Sequence, residues 1–314
     1  MKPADKKIER LIEVAQLYYE ENLTQNEIAK RLGISRPLVS ILLSEARATG
    51  VVTITINHVE NAQQLAEQRL EAAFRIRRAV VVPDGGSADE TDNAVAAEAY
   101  RLCFASGAPW RQIGVGWGSL LGRMADYAET LEPSPPSDGS IFPLIGGIGA
   151  SYRSYHTNEL ARVLSTRAGL SADYLYMPAF FDSDSELDFA RHMETFTALN
   201  DKWTHMDLAI VSISNYPSYP DLGVEYRFGS RLTKEKAVGR VLAYYFDVEG
   251  RIIEANVDNV LQVTREQLQN TANCVAMCSA LLRPQSVAGA LRAGFADTLI
   301  LPQSLARQVL DLNQ

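Results

Sequence analysis

Residues 23–50, LTQNEIAKRLGISRPLVSILLSEARATG, decide the fold of the N-terminal part of the chain. Thr24 and Glu27 have capping-box spacing, in which each side chain can bond to the other residue's backbone N–H, so we expect a helix to begin there. Gly33 can end that helix in the left-handed conformation. Ser35 is expected to cap a further helix, and Pro37 is tolerated in its first turn. Two helices joined by a glycine-containing turn predict a helix-turn-helix.

The second of these helices is expected to have an apolar face and a small, polar, basic face. Small side chains let a helix approach base edges in the major groove, while arginine reaches phosphates or guanine. From Lys30 to Arg47 the cations exceed the single acid, Glu45, by three charges. The alternative is a three-helix bundle whose polar face is only solvated. The residues expected to contact DNA are Thr24, Gln25, Arg31, Ser35, Arg36, Ser40, Ser44 and Arg47.

The flanking segments complete the expected domain. Upstream, helical spacing predicts an amphipathic first helix with an apolar stripe of Ile8, Leu11, Ile12, Ala15 and Tyr18/Tyr19. Downstream, VVTITI (51–56) is rich in β-branched residues and predicts a short wing strand. We therefore expect a winged helix-turn-helix domain over residues 1–56 and a helical connector over residues 57–78. The connector either packs on its own domain or contacts a second subunit.

The charge of the chain is unevenly distributed. The 314 residues carry a net charge of −8, which taken alone argues against nucleic acid. Residues 1–56, however, hold eight Lys and Arg against seven Asp and Glu, a net of +1, so the remainder carries −9. The three cysteines make no disulfide framework and fit a reducing cytoplasm. We expect no membrane span, since no uncharged apolar run reaches about 18 residues.

Residues 79–314 alternate short apolar runs with helical stretches, which predicts a doubly wound, mostly parallel α/β sheet. Ligands of such sheets bind at the carboxyl ends of the strands. The expected helices are 90–106, 119–131, 156–169, 185–201 and 285–294. The expected strands are 79–83, 113–118, 141–147, 173–178, 207–213, 241–247, 274–282 and 298–302.

Several expected strand ends carry polar or glycine-rich segments. Residues 116–119, Gly-Trp-Gly-Ser, precede a helix, where small residues allow backbone N–H groups to approach an anion. Arg283 at the start of a helix suits a phosphate, and Asp247 suits sugar hydroxyls. Each of these features taken singly also fits a structural turn. Neither a dinucleotide fingerprint nor a Walker loop is present.

These motifs resemble the SorC (sorbitol-operon regulator) family of bacterial transcription factors. In its N-terminal reader the family has a Tyr-Tyr pair, then Gly-Leu-Thr/Ser-Gln-x-x-Ile-Ala, Leu-Gly-hydrophobic-Ser-Arg and a Val-Ser pair. One departure is Ile41, where the family commonly has a basic residue. The matching residues are Tyr18, Tyr19, Leu23, Thr24, Gln25, Ile28, Ala29, Leu32, Gly33, Ser35, Arg36, Val39 and Ser40.

The resemblance extends over nearly the whole chain and implies an effector domain similar to sugar-phosphate isomerases. The family's Trp-Gly-x-Thr loop matches residues 117–120, with Leu120 in place of a hydroxyl, and its Gly-Ile-Gly is Ser212-Ile213-Ser214 here. These departures suggest an altered effector. Strand-end position and resemblance together give the expected effector-binding residues Gly116, Trp117, Gly118, Ser119, Leu120, Gly146, Gly147, Asn158, Asp247 and Arg283.

The expected function is a cytoplasmic, DNA-binding regulator of carbohydrate or polyol catabolism genes. Its expected partners are double-stranded operator DNA, a sugar phosphate or related polyol, and further copies of itself in a dimer or tetramer, with no cofactor, metal or membrane. One alternative is a sugar-phosphate isomerase-like enzyme, although the sequence has no Ser-His-Asp order or nucleophile elbow. Another is a DNA-binding scaffold with a degenerate pocket. Effector identity, operator sequence and the sign of regulation stay open.

Overall fold

The computed structural model describes residues 3–52, 62–104, 109–149, 152–217, 224–257 and 259–313. The chain divides into two compact units, Met1–Val59 and Glu60–Gln314. Among the described residues, no helix has both the length and the apolar character that crossing a bilayer requires.

The first unit contains three helices: α1 (Pro3–Tyr19), α2 (Gln25–Leu32) and α3 (Arg36–Ala48). The predicted capping box is present at α2, because the Thr24 N–H donates to Glu27 Oε2 at 2.8 Å and the Glu27 N–H donates to Thr24 Oγ1 at 3.4 Å. Gly33 ends α2 with a φ of +66°, as expected. Ser35 occupies the N-cap position of α3, but its side chain makes no capping hydrogen bond.

The buried stripe of α1 differs from the predicted one. Ile8 and Ile12 are 51% and 41% exposed, whereas Val14 and Leu17 are buried. The apolar residues of this helix span too wide an arc for one face, so the contacts with α2 and α3 select which half is covered. The core of the unit consists of Leu11, Val14, Ala15, Leu17, Ile28, Ala29, Val39, Leu43 and Ala46.

The expected wing and connector are described only in part. Val51 and Val52 form a bend packed near Leu11, Ala15 and Ala46 rather than a strand, and residues 53–56 lie outside the described residues. Within the expected connector, α4 (Ala62–Phe74) belongs to the second unit and packs on its first strand.

The second unit is built on a parallel sheet of seven strands, in the order β1-β9-β8-β5-β2-β3-β4. Two further strands, β6 (Gly239–Val241) and β7 (Tyr244–Phe246), form a hairpin that pairs antiparallel with β5. The parallel strands are β1 (Arg78–Val82), β2 (Gln112–Val115), β3 (Ser140–Pro143), β4 (Ser171–Ala172), β5 (Leu208–Asn215), β8 (Asn273–Met277) and β9 (Thr298–Pro302).

Helices cover both faces of this sheet, which confirms the predicted doubly wound architecture. Side chains of each strand alternate between two cores: Val80 and Val82 enter one, while Ala79 and Val81 enter the other. The helices are α5 (Ala88–Phe104), α6 (Ser119–Glu129), α7 (Thr157–Ala168), α8 (Asp184–Arg191), α9 (Glu194–Thr204), α10 (Val224–Phe228), α11 (Arg231–Lys234), α12 (Arg265–Asn270), α13 (Pro284–Arg292) and α14 (Gln303–Leu312), with a 3₁₀ turn at Arg153–Tyr155.

Several of the expected elements differ in the structure, since β8 ends at Met277 rather than at 282, β3 ends at Pro143 rather than at 147, and β2 ends at Val115 rather than at 118. Residues 173–178 form a loop with an isolated bridge between Gly147 and Pro178, because the edge strand β4 has only two residues. The helix expected over 185–201 is divided into α8 and α9, and Met193 adopts an extended conformation between them. The strand expected over 241–247 is interrupted after Val241, since Leu242 has a φ of +51° and turns the chain from β6 into β7.

The order of the strands places one reversal in the sheet. Strands β3 and β4 lie on one side of β2, and the chain then returns to β5 on the other side. The carboxyl ends of the two strands at such a reversal flank the crevice in which doubly wound proteins bind ligands. Here those ends are residues 116–119 after β2 and residues 212–215 of β5, which we call the switch-point edge.

Two single substitutions, Leu11→Ala and Ile12→Ala, test which apolar residues of α1 are buried. Leu11→Ala removes a side chain that is 1% exposed, and it is expected to lower the free energy of unfolding of the first unit by about 2–5 kcal/mol. Ile12→Ala removes an exposed side chain and is expected to cost less than about 1 kcal/mol. Hydrogen exchange measures both effects. The three tryptophans all lie in the second unit, so its fluorescence-detected unfolding should not change. Equal costs for the two variants would contradict the assignment.

Candidate functional site

The expected DNA-contacting residues of α3 lie on one exposed surface. Val39, Leu43 and Ala46 point into the core of the first unit. Another side of the same helix exposes Arg36, Ser40, Ser44 and Arg47, and Ser35 is exposed at its N-cap. The structure therefore brings together on α3 a small, polar face that carries two arginines.

A depression of about 500 Å³ joins the start of α2 to the start of α3. Gln25 and Arg36 both line it, although they are eleven positions apart in the sequence. First-turn N–H groups and a guanidinium beside one depression are suited to a phosphate oxygen. Its complete lining is Tyr18, Tyr19, Asn22, Leu23, Thr24, Gln25, Asn26 and Arg36.

Two of the expected DNA contacts are engaged within the protein. The Thr24 hydroxyl serves the capping box and also donates to Glu27 Oε2 at 2.7 Å. These hydrogen bonds lower the pKa of the Glu27 carboxyl from its ordinary value. Arg31 pairs with Glu21 at 2.7 Å, although exposed pairs of this kind are weak and exchange readily. Thr24 therefore has a structural role in this unit.

The single acid of α3 is also offset. Glu45 forms an ion pair with Lys7 of α1. Neither Arg36 nor Arg47 makes an ion pair with any residue that the structure describes. The helix thus presents uncompensated positive charge on its exposed side.

In the second unit, the loop of residues 116–119 is fixed by hydrogen bonds from both sides. The Gly116 N–H donates to the Ile210 carbonyl at 2.9 Å, and the Gly118 N–H donates to the Ser154 carbonyl at 2.9 Å. The Ser212 hydroxyl donates to the Trp117 carbonyl at 3.1 Å. The switch-point edge is therefore cross-linked between its two strands.

Gly118 is required by this geometry. Its φ of +127° is unfavourable for other residues, and a Cβ atom there would lie 2.6 Å from Ser212 Oγ. The backbone consequently passes from β2 into α6 through only three residues, Gly116, Trp117 and Gly118. The sequence predicted a glycine-rich segment before a helix, and the structure shows why residue 118 has to be a glycine.

This loop leaves hydrogen-bond donors at the start of α6. The N–H groups of Ser119, Leu120 and Leu121 belong to the first turn and have no helical acceptor. The Ser119 side chain is exposed. The Leu120 side chain, which was expected near the effector, instead lies in the core with α5, so only its backbone can face a ligand.

Trp117 lies behind the loop in an aromatic cluster with Tyr155 and Phe180, with ring centroids 5.9 and 6.4 Å away. The indole is 2% exposed, and its Nε1 donates to no acceptor in the described part of the chain. A buried N–H without an acceptor is costly, so this position suits a polar group brought by a ligand.

The next glycine pair and Asn158 are occupied by contacts with a neighbouring loop. The Gly147 N–H donates to the Met177 carbonyl at 2.9 Å, and a Cβ on Gly146 would lie 2.4 Å from the Pro178 carbonyl oxygen. The Asn158 amide bonds in both directions to the backbone of Leu175, at 3.1 and 2.8 Å. These three residues therefore hold residues 175–178 beside β3.

Asp247 is held within the turn that follows β7. Its carboxylate is buried and accepts from the Arg251 N–H at 2.9 Å and from Arg251 Nε at 2.7 Å. Its carbonyl oxygen lies against Gly289 in the middle of α13. Each carboxylate oxygen already accepts one hydrogen bond from Arg251, and the expected contact with sugar hydroxyls stays a prediction.

Arg283 does reach the switch-point edge. Its guanidinium donates to Asn215 Oδ1 at 3.4 Å, to the Val238 carbonyl at 3.3 Å and to the Tyr216 carbonyl. These acceptors are neutral, and Arg283 has no ion pair with any described carboxylate. A cation is thus held at the end of β5.

Two residues of this edge are not among the expected effector-binding residues, although Ser212 was noted as a departure from the family motif. Ser212 fastens the glycine loop, and Asn215 accepts from the Arg283 N–H at 3.0 Å and from Ser286 Oγ at 2.9 Å. A signal was available, because both lie at the carboxyl end of the strand beside β2. The strand order that makes this position special is a tertiary property.

Neither a metal site nor a reactive thiol finds support among the described residues. No group of three or more metal-ligating side chains occurs there. The three cysteines are buried, which raises the pKa of the Cys103 thiol to about 12 and raises those of Cys274 and Cys278 as well.

Comparisons with known proteins agree with this two-part organisation. Residues 58–311 match the family described as “Putative sugar-binding domain”, and residues 9–49 match “Sigma-70, region 4”. The sorbitol operon regulator of Klebsiella pneumoniae is 26% identical, covering 96% of this chain and 98% of its own. The deoxyribonucleoside regulator of Bacillus subtilis is 25% identical over 96% of both chains. The crystal structure of full-length SorC from Klebsiella pneumoniae superposes with a TM-score of 0.70, 24% identity, and coverage of 96% and 98%.

Replacing Ser212 tests the cross-link within the switch-point edge. Ser212→Ala leaves the Trp117 carbonyl without its hydroxyl donor and is expected to lower the free energy of unfolding of the second unit by about 1–3 kcal/mol. Urea unfolding followed by tryptophan fluorescence measures it. The matched control is Ser214→Ala, two residues further along β5, where no side-chain hydrogen bond is seen among the described residues. If Ser212→Ala were no worse than this control, the cross-link would have no energetic role.

Proposed function

This chain belongs to the SorC family of sugar-binding transcriptional regulators, and we propose that it binds operator DNA through α3 and responds to a sugar phosphate or related polyol at the switch-point edge. The observation that carries the proposal is the pairing of two sites in one chain. One is a helix face with uncompensated arginines, and the other is a glycine loop that presents free N–H groups at the carboxyl edge of a parallel sheet.

The DNA contact follows from the helix-turn-helix geometry. The second helix of such a motif enters the major groove with its N-terminal residues nearest the bases. Arg36 is the first residue of α3, so we assign it to a guanine edge or the adjacent phosphate. Ser40 and Ser44 follow it along the groove, and Arg47, Arg31 and the N-terminus of α2 at Gln25 contact phosphates.

The effector contact uses the start of α6. Its unbonded N–H groups and the positive end of the helix dipole favour an anionic group, and Ser119 offers a hydroxyl beside them. Arg283 supplies positive charge at the neighbouring strand end, and the Trp117 indole offers a further buried donor. Residues 146–147, Asn158 and Asp247 support this edge indirectly, through the loops that they hold.

We assign a regulatory rather than a catalytic role to the second unit. Two of its histidines, His192 and His205, are exposed at helix ends and bond to the carbonyls of Asp188 and Asp201 in their own helices. His156 is exposed at the start of α7, and His58 lies outside the described residues. Among the described residues, no His is thus buried at the switch-point edge, where it could serve as the general acid or base of an enzyme that acts on a sugar.

Regulation requires two states that bind the effector unequally. We propose that the chain acts as a homo-oligomer, in which subunits place their α3 helices in major grooves separated by about one helical turn or its multiples. The effector then changes the fraction of molecules whose spacing matches the operator. We propose that the protein acts in the cytoplasm, where both operator DNA and the effector are found.

The test begins with duplexes selected from a random library by the full-length protein. Mobility shift with the selected duplex is repeated in the presence of a panel of sugar phosphates and polyols. A selected duplex and an effect of at least one panel compound are expected. Binding that no compound alters would favour the DNA-binding scaffold with a degenerate pocket, and turnover of a compound would favour the enzyme.

Substitution of Arg36 tests the DNA contact. Arg36→Ala is expected to weaken binding of the selected duplex about tenfold or more, since one bidentate contact to guanine contributes about 1–3 kcal/mol. Arg36→Lys retains the charge but not the fork, so it should recover only part of the loss. The control is Arg101→Ala, an exposed arginine of the second unit that pairs with Glu98. Unchanged binding by Arg36→Ala would refute the assignment.

Substitution of Ser119 tests the anion site. Ser119→Glu places a carboxylate in the first turn of α6, where it stabilises the helix but repels a phosphate. We expect normal stability and DNA binding, with the response to a sugar phosphate weakened about tenfold or more, and a smaller change for the neutral Ser119→Gln. Titration of the mobility shift with the active compound measures this. An equal response from all three proteins would place the anionic group elsewhere.

A further inference from the structure

One large apolar side chain, Ile41, lies on the exposed face of α3 among polar and charged residues. Ile41 is 59% exposed, although it lies in the middle of the helix. It is two residues from both Val39 and Leu43, which are buried, and at about 100° per residue a two-residue step crosses to the other side of a helix. Ile41 therefore lies almost opposite the core.

The surroundings of Ile41 are small. On a helix, its neighbours on the same face are the residues three and four positions away. Pro37 and Ser44 occupy two of these positions on the exposed side, and Ala48 continues the row one turn later. A branched apolar side chain thus protrudes from a row of short ones.

The two flanks of this row differ in charge. Arg36, Ser40 and Arg47 lie along one side, and the arginines make no ion pair with described residues. On the other side lie Leu38, which is 41% exposed, and Glu45, whose charge is offset by Lys7. A narrow protruding row beside arginines without ion pairs is better suited to entering a groove of a polyanion such as DNA than to packing on a broad apolar protein surface.

We infer that Ile41 contacts the C5-methyl group of a thymine in the major groove and so helps to specify the operator. Thymine is the one base of DNA that presents a methyl group there, and apolar side chains recognise it by contact. Arg36 lies five residues earlier on α3, which is about 7.5 Å along the helix axis at 1.5 Å per residue. The inference rests on the proposed DNA binding and extends it to a base.

The experiment removes the methyl group from the DNA and the side chain from the protein in turn. In the duplex selected by the full-length protein, each thymidine is replaced singly by deoxyuridine, which pairs identically but lacks the methyl group. The unmodified protein is expected to bind at least one of these duplexes about three- to tenfold more weakly. Ile41→Ala should bind that duplex and its thymidine parent equally well, since the methyl group has lost its partner.

Two further variants control for other causes. Ile41→Val should keep part of the sensitivity to deoxyuridine, and Leu38→Ala, which truncates the other large exposed apolar side chain of α3, should keep all of it. Because Ile41 is exposed, these variants are expected to fold, and far-UV circular dichroism checks this.

The possible failures are distinguishable. If no deoxyuridine weakens binding, or if the sensitivity persists in Ile41→Ala, the contact is refuted while DNA binding stands. If Ile41→Ala instead changes the oligomeric state without altering the sensitivity, the side chain belongs to a contact between copies and the inference fails. If no duplex is selected at all, the proposed function itself falls, and this inference with it.

Discussion

The pairing of β2 with β5 is the constraint on which the second unit depends. It places the reversal of strand order at one point, and both strands end there on the same edge of the sheet. The Ser212 hydroxyl, given to the Trp117 carbonyl, joins the two ends. Gly118 passes close to that hydroxyl as the chain enters α6, and the first N–H groups of α6, like those of any α-helix, have no acceptor within the helix.

The neighbouring loops are organised around this edge rather than being part of one continuous ligand surface. Asn158 and the glycine pair at 146–147 are committed to the backbone of residues 175–178, and Asp247 is committed to Arg251. Arg283 is different, since its hydrogen bonds go to neutral acceptors and its charge stays available. Residues that look equivalent at the level of strand ends thus have different roles, which hydrogen-bond partners distinguish.

The helix-turn-helix was predictable because its signals are local. Thr24, Glu27 and Gly33 act within a few residues of one another, and their geometry agrees with the prediction. The phase of α1 was not predictable, because its apolar arc is wider than one face and only the packing of α2 and α3 decides between Ile12 and Val14. The same holds for Leu120, whose position beside a glycine loop suggested a ligand contact but whose side chain faces α5.

By itself, the sequence determined the two-part organisation, the parallel α/β class and the glycine loop of residues 116–119, since periodicity, capping and glycine act over short distances. Three other features follow from tertiary contacts. Ser212 and Asn215 lie at the same edge as that loop, and Asp247 is neutralised by Arg251. Ile41 protrudes from a row of small side chains on the exposed side of α3. These facts depend on which strands become neighbours and which helix faces are covered. Such pairings join residues far apart in the chain, and no local pattern encodes them.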